Sequence, residues 1–111
     1  MSDPEASGAI EVSFVDDDPD LRDANVQALR LAGFRAVALS SGEAALARIG
    51  PDYAGIVVTD IRMPGMDGIE LFRRLRALDP DIPVIVISGH ADIATAVGAM
   101  SEGAYDFIAK P

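Results

Sequence analysis

Four short apolar runs in this chain each stop abruptly at a residue with a reactive or charged side chain. VSFV (Val12–Val15) runs into Asp16-Asp17-Asp18, and GIVVT (Gly55–Thr59) into Asp60. VIVI (Val84–Ile87) ends at Ser88, and DFIA (Asp106–Ala109) at Lys110. A fifth run, Arg35–Leu39, ends at Ser40-Ser41. Such short runs, apolar on both faces and bounded by polar residues, suit strands buried on both sides of a parallel sheet. The segments between them have helical spacing. Leu21, Ala24, Ala28 and Leu31 mark a helix over Asp20–Leu31, capped by Asp18 and stopped at Gly33. Ser40 and Glu43 fit a capping box for a short helix over Ala44–Ile49. Leu71, Leu75 and Leu78 mark a third helix over Ile69–Leu78, after a loop rich in Pro and Gly. Asp92 is placed to cap a fourth, which carries Ile93, Val97 and Met100 and closes at Gly103.

Five strands alternating with four helices imply an α/β doubly wound fold, a parallel sheet covered on both faces. Right-handed crossovers leave few topologies, and the flavodoxin-like order 2-1-3-4-5 is among them. The 111 residues make one domain, and half of them are hydrophobic, enough for a core. Residues 1–10 are polar and acidic and are expected to form a disordered lead, with the domain over 11–111. They lack the basic and apolar regions of a signal peptide. No run approaches the roughly 20 apolar residues of a membrane span, so the cytoplasm is the expected compartment. The absence of cysteine excludes disulfides and thiolate metal sites. A net charge of -9 argues against direct nucleic-acid binding, which needs an excess of Lys and Arg.

In open parallel sheets, ligands bind outside the carboxyl ends of the strands. In the order 2-1-3-4-5, Asp16, Asp17, Asp60, Ser88 and Lys110 all fall along one such edge. Taken singly, each has a bland reading: Asp and Ser after a strand form turns or caps, and a terminal Lys is solvated. Four adjacent strand ends carrying them together is a stronger signal. Clustered carboxylates repel unless a cation joins them. Hard oxygen ligands suit Mg²⁺. Asp60 is then a candidate nucleophile toward phosphorus, with Lys110 and the metal neutralising phosphoryl oxygens and Ser88 donating a hydroxyl. His90, the only histidine, reads as a solvated loop residue. Met63 and Met66 either pack or lie exposed in their loop.

The segments FVDDD (Phe14–Asp18), TDIRMPGMDG (Thr59–Gly68), VIVISGHAD (Val84–Asp92) and GAYDFIAKP (Gly103–Pro111) together resemble the receiver domains of two-component response regulators. Their wording is most similar to the nitrogen-regulatory-protein-C class, and within it to the C4-dicarboxylate transport regulators. The resemblance implies Asp60 as phosphoacceptor, and Asp16, Asp17 and the backbone carbonyl of Arg62 as Mg²⁺ ligands beside it. It implies Ser88 and Phe107 as switch residues, and Lys110 as the phosphoryl partner, followed by a frequently cis Pro111. It also implies a sensor histidine kinase as donor, and a regulatory domain that promotes its own phosphorylation and dephosphorylation rather than a conventional enzyme. Its partners would be the output domains of a full-length regulator and, in a homodimer, a second copy of the chain.

Two departures stand out. Phe107 replaces the Tyr of many receivers, so no phenol hydroxyl is available. The family's fifth helix has no counterpart before Pro111, so apolar surface is expected near the first and fifth strands. Two other functions compete. A metal-dependent phosphohydrolase would need a general acid two residues after Asp60, where Arg62 stands. A pseudo-receiver, serving only protein binding, would lack an acid or the Lys that this chain keeps.

Overall fold

The computed structural model describes residues 9–111, so the expected lead lies almost wholly outside the described residues. In chain order the elements are β1 (Glu11–Val15), α1 (Pro19–Leu31), β2 (Arg35–Leu39), α2 (Gly42–Arg48), β3 (Ile56–Asp60), α3 (Gly68–Leu78), β4 (Val84–Ser88), α4 (Ile93–Glu102) and β5 (Asp106–Ala109). A 3-10 turn over His90–Asp92 leads into α4. The five strands form one parallel sheet in the order β2-β1-β3-β4-β5, the flavodoxin-like topology.

Strand alternation divides the core between the two faces of the sheet. Val57, Val84 and Val86 pack with Leu71, Phe72 and Leu75 of α3, Ala45 of α2, and Ala96 and Ala99 of α4. On the other face, Phe14 of β1 and Ala36 of β2 pack with Val26 of α1. Val58 and Ile87 complete that smaller cluster and are only half-buried, and Ile108 on β5 is 52% exposed. Of the apolar surface expected near the first and fifth strands, that beside β5 is present, whereas Val12 and Phe14 of β1 are buried.

Helix positions follow the sequence, and the buried faces are not the apolar stripes that mark two of the helices. Leu21, Ala24, Ala28 and Leu31, the stripe that marks α1, lie exposed, and Val26 is the residue of α1 that is buried. In α4 the large residues Val97 and Met100 also face outward, while Ala96 and Ala99 meet the sheet. Periodicity reveals a helix, but the side chains that reach the sheet decide its rotation.

Two caps also differ from expectation. Ser41, not Ser40, caps α2, its hydroxyl accepting the Ala44 N–H at 3.1 Å, so Glu43 falls too early for a capping box. Asp92 caps nothing: its side chain is engaged elsewhere. Asp18 does cap α1, accepting from the N–H groups of Asp20 and Leu21. Asp67 caps α3 by accepting the Glu70 N–H at 2.9 Å.

Candidate functional site

Parallel pairing brings the strand ends level. Val15 of β1 stands opposite Thr59 of β3, Asp60 opposite Ile87 of β4, and Ser88 opposite Ala109 of β5. The backbone ladder continues one residue past the strands. Asp16 N–H donates to the Leu39 carbonyl at 3.1 Å, Ile61 N–H to Ile87 at 3.1 Å, and Lys110 N–H to Ser88 at 2.8 Å. These bonds fix the chain where the functional side chains depart from it.

Asp16, Asp60 and Ser88 are buried, an unusual state for two carboxylates. Each has partners. Asp16 Oδ1 accepts the Asp18 N–H at 3.0 Å. Asp60 Oδ1 accepts the Arg62 N–H at 3.1 Å, and its Oδ2 accepts from Lys110 Nζ at 2.7 Å. The β3–α3 loop is pressed against this corner. Gly68 N–H donates to the Ile61 carbonyl at 2.8 Å, and a Cβ at Gly68 would collide with the Asp60 carbonyl. Met63 and Met66 are buried in the core, and Met66 lies against Gly42 at the start of α2. The loop is thus held down by its methionines.

Ser88 makes no hydrogen bond to Asp60. The Ser88 hydroxyl donates to the Gly89 carbonyl at 2.8 Å. Phe107 is half-buried and packs against the α3 side of the core. Asp17 lies exposed at the rim, where the chain turns into the Asp18 cap. The expected convergence is therefore complete for Asp16, Asp60 and Lys110, and partial for Asp17. The peptide bond before Pro111 is trans, as no peptide bond among the described residues is cis.

The electrostatics of the corner favour a cation. Burial pushes the Asp16 carboxyl up, and the nearby Asp60 and Asp17 charges add to the rise, against the Asp18 N–H and Lys110. The hydrogen bond to Asp60, with the charges of Asp60, Asp16 and Asp17, holds the Lys110 ammonium above its ordinary value. One ammonium shared among these acids leaves Asp16 under-compensated. The available donors are hard oxygens, which suits Mg²⁺. Among the described residues, no three acidic or histidine side chains form a ready-made metal cage. The donor chemistry fits a cation held by the two buried carboxylates and completed by further oxygens.

Residues 12–111 match the model of the response regulator receiver domain. The chain belongs to that family. This receiver domain is 57% identical over 105 residues to the C4-dicarboxylate transport transcriptional regulatory protein DctD of Rhizobium meliloti, covering 95% of this chain and 23% of DctD. It is 37% identical to the DNA-binding transcriptional regulator NtrC of Salmonella typhimurium, over 90% of this chain and 21% of NtrC. Among solved structures, the receiver domain of NtrX from Brucella abortus superposes with a TM-score of 0.82 at 40% identity, covering 90% of this chain and 85% of that one. The chain thus spans less than a quarter of the length of the two curated regulators.

One contact beside the site is invisible in the sequence. Arg62, expected to act through its backbone carbonyl, also reaches Asp92 with its side chain: Nε lies 2.7 Å from Oδ2 and Nη2 3.0 Å from Oδ1. The two residues are 30 apart in the chain, and no local pattern signals the pairing. Thr59 is also buried, and its hydroxyl donates to the Asp60 carbonyl at 3.0 Å.

Proposed function

We propose that this receiver accepts a phosphoryl group on Asp60 from a phosphohistidine of a sensor kinase, and that the modification switches an output carried elsewhere in a longer regulator. The observation that carries this reading is the buried Asp60 carboxylate, held at one oxygen by a backbone N–H and at the other by Lys110, beside a second buried acid. An Asp60 oxygen attacks phosphorus, the phosphorus–nitrogen bond breaks, and its electron pair returns to the donor imidazole. The Arg62 N–H holds the carboxylate's orientation. Lys110 remains beside the acceptor and balances the charge gathered on the phosphoryl oxygens. Mg²⁺, held by Asp16 and Asp60 with the Arg62 carbonyl and Asp17 as further donors, would reduce repulsion between the incoming phosphoryl group and these acids.

The product carries about -1.5 to -2 charge and three acceptor oxygens. Those oxygens give the Ser88 hydroxyl an alternative to the Gly89 carbonyl, and Ser88 leads directly into the 3-10 turn and α4. Phe107, on the neighbouring strand, repacks with that movement. By likeness to DctD and NtrC, the output is transcription activation, through a sigma-54-dependent ATPase domain and a DNA-binding domain. Homodimerisation through the α4–β5 side would fit the exposed Val97, Met100 and Tyr105.

Intact mass after incubation with acetyl phosphate and Mg²⁺ tests the chemistry. One added phosphoryl group is expected, absent without metal and absent in Asp60→Asn. No adduct, with no Mg²⁺ binding and no beryllofluoride binding, would favour the pseudo-receiver instead.

A further inference from the structure

Helix α4 is held to the α3 side of the molecule by two ion pairs, one near each of its ends. At its start, Asp92 receives the two-pronged Arg62 guanidinium. At its last residue, Glu102 receives Arg73 of α3 in the same manner, with both oxygens bonded at 3.0 Å. Between the two pairs lies an open cleft of about 940 Å³, lined by Met63, Ile69 and Arg73 on one side and Thr95 of α4 on the other. The packing of α4 beneath is light: only Ala96 and Ala99 are buried, and no side chain caps its N-terminus.

We infer that these two pairs act as clasps that hold α4 in the seating it has before Asp60 is phosphorylated, and that activation must open the Arg62–Asp92 clasp. This rests on the phosphoacceptor reading above. Arg62 is the link that makes the clasp responsive. Its N–H is bonded to Asp60 Oδ1 while its side chain holds Asp92, so one residue grips both the acceptor and the entry to α4. A phosphoryl group on Asp60 changes the charge and oxygen positions that this residue must accommodate. Ser88, four residues before Asp92, leads into the same turn.

Exposed ion pairs are usually weak, since solvent screens them and ordering two long side chains costs entropy. These two have the favourable case's geometry, each guanidinium bonded to both carboxylate oxygens. Asp92 is also well covered, its side chain 13% exposed against 72% for Arg62. A weak clasp is what a switch needs. It has to bias α4 without outweighing the phosphoryl group.

The test is amide exchange, resolved by segment, on the intact chain and on Asp92→Ala, Glu102→Ala and the charge exchange of Arg73→Glu with Glu102→Arg. Beryllofluoride titration with saturating Mg²⁺ follows on each. Each alanine variant is expected to speed α4 exchange about two- to fivefold and leave α3 unchanged. The charge exchange should restore the wild-type rate. Because coupling is reciprocal, Asp92→Ala should bind beryllofluoride about two- to fivefold more tightly. Unchanged α4 exchange in both alanine variants would overturn the clasps. Faster exchange with unchanged beryllofluoride affinity would make Asp92 merely structural and overturn the regulatory claim. If the wild type binds no beryllofluoride, the phosphoacceptor reading fails and the regulatory claim falls with it, while the exchange data still judge the ion pairs.

Discussion

Helices α3 and α4 lie on the same side of the sheet, and each follows a strand that ends in a site residue. They are seated very differently. Helix α3 is anchored by Leu71, Phe72 and Leu75, all buried, and its first turn is capped by Asp67. Gly68 lets it approach the Asp60 backbone as closely as a chain can. Helix α4 buries two alanines, exposes Val97 and Met100, and has no side-chain cap. Burial of apolar area scales with side-chain size, so the first helix is fixed by several large contributions and the second by two small ones plus two ion pairs. A switch domain needs one fixed reference and one movable element. The difference between these helices is what the proposed switch would use.

The contrast can be broken most forcefully from the α3 side. Leu75→Ala removes a fully buried side chain and should cost about 2–5 kcal/mol of stability, read from urea unfolding. Gly68→Ala forces a methyl against the Asp60 carbonyl and should cost about 1–3 kcal/mol, with weaker phosphorylation because the acceptor's own backbone must shift. In α4, Ala96→Gly should cost about 1 kcal/mol, mostly from helix propensity, and Val97→Ala less than about 0.5 kcal/mol. If α4 substitutions proved as costly as Leu75→Ala, the two helices would be equally anchored and the contrast would be wrong.

The smallest effect expected is one of pH. The Arg62 hydrogen bond holds Asp92 below the usual carboxylate range, and Arg73 does the same for Glu102. A depressed carboxylate contributes stability above its unfolded pKa and loses it as pH falls through the folded one. Protection of α4 amides, corrected for intrinsic exchange, should therefore decline in acid over that window before protection of α3 does. Equal decline in both helices would indicate general acid unfolding instead.

Much of this was legible in the sequence because strand ends and site residues coincide. Asp16, Asp60, Ser88 and Lys110 stand where short apolar runs stop, and a parallel sheet in the order 2-1-3-4-5 has to bring them to one edge. The acids alone did not disclose their orientation. Asp17 follows a strand as Asp16 does, yet the cap formed by the next residue leaves it at the rim. Asp92 departs from its local pattern for a related reason. Its position before a helix satisfies the local pattern for a cap, but a guanidinium 30 residues away outcompetes the helix N–H groups for its oxygens. The Leu21–Leu31 and Val97–Met100 stripes likewise signalled helices correctly without disclosing which face turns inward. Local signals identify elements, whereas rotation and pairing are set by partners distant in the chain.

Amide exchange measured by segment, with and without acetyl phosphate and Mg²⁺, and with the extent of modification read by intact mass on the same samples, tests the whole account most directly. Phosphorylation should alter protection in the His90–Asp92 turn and α4, leave α3 as it was, and do neither in Asp60→Asn. A complete adduct on Asp60 with α3 and α4 responding alike, or with neither responding, would contradict it.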